Sequence, residues 1–346
     1  MVRRTLLLVH RYVGLAAALF AVNAGLTGAV LAFRTDIDRW IHPVASRLSR
    51  NNPRLSEEAI LAGIEARFAP DRAARIDLTD PRGLRAFTMR SGRRLLIDPT
   101  DGTVRGQRPA LSTVDHWLEA IESAHVRLVA GAVGQWAVDV ASAAVLILAP
   151  TGVFLWWRTK RGRIDWTRPW YRVAWDVHHV VGICASAALL VLAATGTYLA
   201  FDGPLNRLTG SAPWRIPPLP HSTTVTPPVP RLTLDRLAAI ADDALRGPTT
   251  RIVLPLRERS AIEFQKAGPL AMGRSSVFLD QYSGTVLRVD DFRALPRGYR
   301  LHEIILALHT GTFAGPAVHS LFSIASMAAI VLAVSGLLMW LRSFGR

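Results

Sequence analysis

The chain of 346 residues has one cysteine, two lysines and few charges of any sign: 19% of its residues are charged, against 50% hydrophobic. The single thiol, Cys184, excludes an internal disulfide, a CxxC redox pair, a four-Cys iron–sulfur cluster held by this chain and a CxxCH covalent haem site. Redox chemistry would therefore need a cofactor bound without a covalent tether. Lysine scarcity qualifies the net charge of +15. Beyond Lys160 and Lys266 the charge is arginine, much of it flanking apolar runs, so no nucleic-acid partner is expected. No GxGxxG follows a strand-like run, which argues against a nucleotide or flavin domain and leaves any electron donor as another molecule. A mean hydropathy of +0.23 is too apolar for disorder and for most soluble enzymes.

Four apolar runs reach the length of about 20 residues that a hydrocarbon core requires. They cover 6–33, 134–157, 176–201 and 317–341. The first is longer than a signal-peptide core and reads as a retained anchor. Arg3 and Arg4 precede the first run, and Arg342 and Arg346 follow the fourth. The loop between the second and third carries Arg158, Lys160, Arg161, Arg163, Arg168 and Arg172 against Asp165. These flanks share one side, and a basic side is the cytoplasmic one. The expectation is a multi-pass inner-membrane protein with both termini in the cytoplasm.

The chain also repeats itself. HRYVG…TGAVLAF in the first run and HHVVG…TGTYLAF in the third align at one offset of 168, matching His10 with His178, Gly14 with Gly182, Thr27 with Thr195 and Gly28 with Gly196. A second offset, 184, matches His125, Gly131, Thr151, Gly152, Trp156 and Arg158 with His309, Gly315, Ser335, Gly336, Trp340 and Arg342. Between the runs, 55–68 and 232–246 read as amphipathic helices. Each is followed by short strands and by an Asp…Gly-Thr-Val turn, at 98–104 and 280–286. A Pro-rich stretch at 213–230 is expected to be extended.

The resulting plan is a mainly α membrane protein. It has four transmembrane helices, built as a duplicated two-helix unit, and two small α+β external modules. Its segments are a first transmembrane helix at 1–34, a first module at 35–120, an interfacial helix with the second span at 121–158, and a cytoplasmic loop at 159–172. The third span at 173–201, a second module at 202–300, and an interfacial helix with the fourth span at 301–346 complete it. The halves share an orientation, so an axis along the membrane normal should relate them.

Four of the ten histidines occupy equivalent places in the repeat: His10 with His178, and His125 with His309. The topology puts the first pair near the cytoplasmic ends of spans one and three. It puts the second pair on the outer side, on short helices before a bend. Two equivalent histidines per membrane face are what a bis-histidine b-type haem requires, one imidazole from each side of the porphyrin. Two non-covalent b haems are expected, each clamped between the two copies of one helix. Other readings of these histidines are interfacial anchors, a metal site or a proton path. A metal transporter would show acids within its spans, where Asp139 stands and its counterpart is Ser323. His179 is a second choice beside His178, and His319 beside His309; neither has a counterpart in the repeat. His302 is two turns from His309 on one helical face and could meet a propionate or a substrate, whereas His42, His116 and His221 read as loop or surface residues. Trp156, Trp157 and Trp340 read as interfacial belt residues.

The HRxVG…TG opening, the HxxxxxG…TGxxxWW closing and the two DxxxGTV turns resemble the PepSY-associated transmembrane family over nearly the whole chain. The resemblance implies a bacterial inner-membrane protein with two PepSY-like modules in the periplasm. Some members are siderophore-linked ferric reductases with two b haems. It implies that His10, His178, His125 and His309 are axial ligands, and that electrons pass from a cytoplasmic or membrane donor to a periplasmic ferric-siderophore, releasing Fe(II). Two other functions stay open: a non-catalytic periplasmic regulator that binds peptides, which needs no chromophore, and an electron conduit to a different periplasmic acceptor.

Overall fold

The computed structural model describes residues 1–41, 43, 53–109, 113–160, 162–201, 205, 218–223, 229–269 and 273–344. His42 and most of the Pro-rich stretch lie outside the described residues. In chain order the elements are helices α1 (Val2–Ala32), α2 (Arg34–Ile41) and α3 (Glu57–Phe68), then strands β1 (Ala73–Asp77), β2 (Arg85–Met89), β3 (Arg94–Ile97) and β4 (Val104–Arg108). Helices α4 (Thr113–Arg127), α5 (Gly131–Thr159), α6 (Trp170–Ala200) and α7 (Leu234–Ala244) follow. Strands β5 (Thr249–Val253), β6 (Ile262–Ala267), β7 (Arg274–Leu279) and β8 (Val286–Asp290), and helices α8 (Arg297–Thr310) and α9 (Pro316–Phe344), complete the chain. Two compact units result: one of residues 1–37, 117–212 and 301–346, the other of 38–116 and 213–300.

The first unit is a helical bundle. Helices α1, α5, α6 and α9 are each long and apolar enough to cross a membrane. Large apolar side chains such as Leu19, Val140, Ile147, Leu321 and Ile324 are exposed along them. Such a surface is stable only against lipid, so this is a multi-pass membrane protein. Helices α1 and α6 each pack against both α5 and α9, which puts α1 diagonally opposite α6. Glycine permits the close approaches: a Cβ on Gly25 of α1 would lie 2.7 Å from the Ser326 carbonyl oxygen of α9. Short helices precede two of the spans. Between α4 and α5 the chain takes positive φ at Leu128, Val129 and Gly131; between α8 and α9 it does so at Gly311 and Gly315. The break expected after His125 and His309 is thus made by left-handed backbone, where glycine carries no Cβ penalty.

Helix α6 starts at Trp170, earlier than the apolar run at 176. Asp176, the first residue of that run, therefore lies inside the helix rather than at its start, fully buried, with the Asp165 backbone N–H donating to its carboxylate at 3.2 Å. Asp139 is therefore not the only acid in a spanning helix.

The second unit is one antiparallel sheet of eight strands, in the order β4-β3-β2-β1-β5-β6-β7-β8. The sequence reads as two separate modules, but their first strands pair with each other, Ile76 against Ile252, and make one sheet of two four-stranded meanders. Helices α3 and α7 share one core with the sheet, built from Ile60, Ile64, Phe87, Leu95, Leu237, Phe264 and Val277. Their starts are capped alike: the Ser56 hydroxyl accepts from the Ala59 N–H, and the Thr233 hydroxyl from the Arg236 N–H. The two Asp…Gly turns also match. Gly102 and Gly284 take φ of +70° and +76° and donate to the Asp98 and Asp280 carbonyls at 2.9 Å each.

Candidate functional site

Four histidines of the bundle come together as two pairs. His10 on α1 and His178 on α6 face each other across the diagonal, with ring centroids 6.2 Å apart and planes at 88°. His125 on α4 and His309 on α8 have centroids 6.4 Å apart and planes at 53°. The 17 residues from His10 to Thr27, which holds His125, rise about 25 Å at roughly 1.5 Å each, so the pairs occupy opposite ends of the bundle.

Each ring is seated in the same way. Its Nδ1 meets a hydroxyl of another helix: His10 on Thr151 at 3.0 Å, His178 on Ser335 at 2.9 Å, His125 on Thr27 at 2.8 Å and His309 on Thr195 at 3.0 Å. Each hydroxyl donates its own proton one turn back along its helix. The acceptors are the carbonyls of Ile147, Val331, Asn23 and Val191, at 2.9, 2.6, 2.6 and 2.6 Å. A hydroxyl has one proton, so its oxygen can only accept from the ring. Nδ1 therefore carries the hydrogen in all four histidines, and the Nε2 lone pair is left for another partner.

The residue after each hydroxyl is glycine. A Cβ there would lie 3.1 Å from the His10 Cε1 at Gly152, 3.2 Å from His125 at Gly28, 3.3 Å from His309 at Gly196 and 3.5 Å from His178 at Gly336. The Thr-Gly and Ser-Gly pairs are cradles: the hydroxyl sets the tautomer and the missing Cβ admits the ring. Burial, then the neighbouring His125, lowers the His309 imidazole to about 4. Burial also lowers His125, against the opposing pull of Glu122. Both are neutral imidazoles near pH 7, the form that ligates a metal.

The second-choice histidines sit differently. His179 lies against Trp175 of its own helix, with centroids 3.9 Å apart, and its Nδ1 donates to the Trp175 carbonyl at 2.8 Å. His319 turns both nitrogens toward carbonyl oxygens, Thr310 at 2.8 Å and Ala32 at 2.9 Å, and so ties the ends of α1 and α8 to α9. Among the described residues, no group of three or more His, Cys, Asp or Glu has the arrangement to hold a metal ion by itself.

From residue 7 to residue 343 the sequence matches the family model of the PepSY-associated TM region. The chain belongs to this family. No curated protein matches it. In this PepSY-associated TM protein, the histidine pairs could be found from the repeat, because His is rare in apolar helices. The cradles are not legible as such in the sequence. Thr27-Gly28 and its counterparts were visible as repeated letters, but only the fold shows that each faces a histidine more than 90 residues away. Asp176 opens the third apolar run, where an acid reads as a flanking residue; only the fold shows it fully buried.

Proposed function

We propose that the chain is a transmembrane oxidoreductase with two non-covalent b-type haems, one between His10 and His178 and one between His125 and His309. In this reading the spans and the sheet are a duplicated unit, the sheet meanders are PepSY-like modules in the periplasm, and both termini are cytoplasmic. Electrons from a cytoplasmic or membrane donor reduce a ferric-siderophore outside, and Fe(II) is released.

Ring spacing carries the reading. An imidazole nitrogen sits about 2.0–2.1 Å from a first-row metal and roughly 1.1 Å from its own ring centre, so two rings sharing one metal have centroids about 6 Å apart. The two pairs stand at 6.2 and 6.4 Å. The donor set fits as well: four neutral nitrogens with free lone pairs, each oriented through its second nitrogen as metal-bound histidines are. When bound, each haem supplies a one-electron iron couple. The protein's residues do the rest. Thr151, Ser335, Thr27 and Thr195 hold the proton on Nδ1, the glycines admit the rings, and the surrounding apolar helices exclude water.

The test is the spectrum of purified protein, oxidised and dithionite-reduced, with a pyridine haemochrome assay. Two acid-extractable, low-spin haems per chain are expected; none would leave the peptide-binding reading, and one would overturn the paired arrangement. Reduced protein in proteoliposomes should then be reoxidised by ferric-siderophore added on the periplasmic side. Intact haems with no response to any ferric chelate would move the acceptor to a different periplasmic molecule.

A further inference from the structure

The sheet face away from the α3–α7 core carries an uncompensated guanidinium. Strand register puts Arg75 opposite Thr88, Thr88 opposite Arg94, and Arg94 opposite Arg108, so these four residues form one row on one face. The other face at the same strands is buried core, Ile76, Phe87 and Leu95. Arg75 and Arg108 have counter-charges. Arg75 donates to Asp77 at 3.1 Å and to the Thr88 hydroxyl at 3.2 Å. Arg108 bonds Asp38 and, at 2.6 Å, Asp115. Asp77 is shared with Arg251 across the β1–β5 pairing.

Arg94 stands between these pairs, and its side chain makes neither a hydrogen bond nor an ion pair among the described residues. It is half-buried, and burial, then Arg108 and Arg75, press its guanidinium below the ordinary value against the weaker pull of Asp38 and Asp77. The two carboxylates that act on Arg94 are both engaged elsewhere: Asp38 with Arg108, and Asp77 with Arg75 and Arg251. Like charges directly opposite each other in a sheet are destabilising. The fold itself does not require them. Counting from the two Asp…Gly turns, the places of Arg94 and Arg108 are taken in the other meander by Ser276 and Asp290, which also face each other. There the Ser276 hydroxyl donates to Glu263 at 2.7 Å, so the facing pair that corresponds to Arg94–Arg108 carries no guanidinium, and the arginine of that row, Arg251, stands two strands away from Ser276.

We propose that Arg94, flanked by Arg108 and Thr88, is the binding site for a small oxyanion group, a carboxylate or a phosphate. A planar guanidinium offers such a group two parallel N–H donors, and the anion cancels the Arg94–Arg108 repulsion. The site is independent of the haem reading, since it uses only sheet residues.

The test uses the full chain in phosphatidylcholine nanodiscs, with citrate and inorganic phosphate as separate probes in calorimetry and thermal melts. Either probe should bind and raise the melting temperature. Arg94→Gln should weaken binding at least tenfold, whereas Arg274→Gln, an exposed arginine at the edge of β7, should not change it. Arg94→Gln should also raise the melting temperature of the anion-free protein, because it removes a like-charged pair; an arginine that merely holds the sheet together would lower it. Arg94→Lys should retain weaker binding, having the charge without the fork. Nanodiscs containing phosphatidylglycerol separate the sources of phosphate: competition with free phosphate that is lost in Arg94→Gln assigns the site to a lipid headgroup, and its absence assigns it to a soluble anion. Equal binding by wild type and Arg94→Gln, or no binding of either probe, overturns the proposal.

Discussion

The two histidine pairs solve one problem in two ways. In the pair His10–His178 the rings ride on the spanning helices α1 and α6, and the cradles come from α5 and α9. In the pair His125–His309 the roles are exchanged. The rings ride on the short helices α4 and α8, and α1 and α6 supply the cradles. Each of α1 and α6 therefore gives a histidine at one end and a Thr-Gly cradle at the other. This difference shows which part is rigid. The first pair is fixed wherever the four-helix bundle is fixed. The second also depends on the bends at 128–131 and 311–315 and on tethers such as the Asn23 side chain, whose amide donates to the Ala124 carbonyl at 2.9 Å.

Removing a ring should break the comparison most strongly. In the proposed dihaem protein, His178→Ala should lower haem stoichiometry from two to one and spare the site at His125–His309, and His309→Ala should do the reverse. His179→Ala and His319→Ala should keep both haems. Haemochrome counts with optical spectra decide this, and loss of both haems from one substitution would mean that the sites are not separable.

Filling a cradle should have the next largest effect, and should be unequal within the first pair. At Gly152 an added Cβ stands 3.1 Å from the facing ring, but at Gly336 it stands at 3.5 Å, an ordinary contact. Gly152→Ala should reduce haem occupancy or shift the low-spin electron paramagnetic resonance signal, with Gly336→Ala close to wild type. In the second pair the corresponding distances are 3.2 and 3.3 Å, so Gly28→Ala and Gly196→Ala should behave alike.

Deleting a hydroxyl while keeping shape is milder. Thr27→Val leaves the His125 Nδ1–H without its acceptor, which costs about 1–3 kcal/mol for a buried donor. It should shift one reduction potential of the two, and Thr27→Ser should restore it. An unchanged titration would mean that the hydroxyl does not set the tautomer.

The smallest effect belongs to the sheet and to acid. Burial alone would raise the Asp280 carboxyl, but the Thr223 hydroxyl and the N–H groups of Ser283, Thr223 and Tyr282 outweigh it and bring it down to about 2, below the unfolded value of 3.8. A depressed carboxyl stabilises the fold above its unfolded value and loses that contribution as pH falls through the folded one. Melting temperature should therefore drop between about pH 4 and pH 2. Asp280→Asn should flatten that drop while lowering stability at pH 7, and an equally steep drop in the variant would remove Asp280 as its cause.

Much of the bundle was legible in the sequence. Four apolar runs became four helices, and a repeated histidine in an apolar helix stands out by its cost of burial. The sheet was legible only locally. Its hairpins follow from the alternation in RAFTMR and AIEFQ and from the Asp…Gly turns, but the β1–β5 pairing joins residues about 176 positions apart, and no local pattern encodes it. The cradles were hidden for the same reason. A Thr-Gly pair in an apolar helix reads as close packing until the facing side chain is known.

That β1–β5 pairing has a consequence in time. Strand β1 leaves the ribosome long before its partner β5, and at roughly 5–20 residues per second the interval is on the order of 10–35 s. Until then β1 is an open edge, the kind of template on which chains aggregate. Its sequence, AARID, places Arg75 and Asp77 on that edge. Charged edges resist pairing with a stranger. When β5 arrives it brings Arg251 to Asp77, so the charges that guard the waiting edge become the ion pairs that close it.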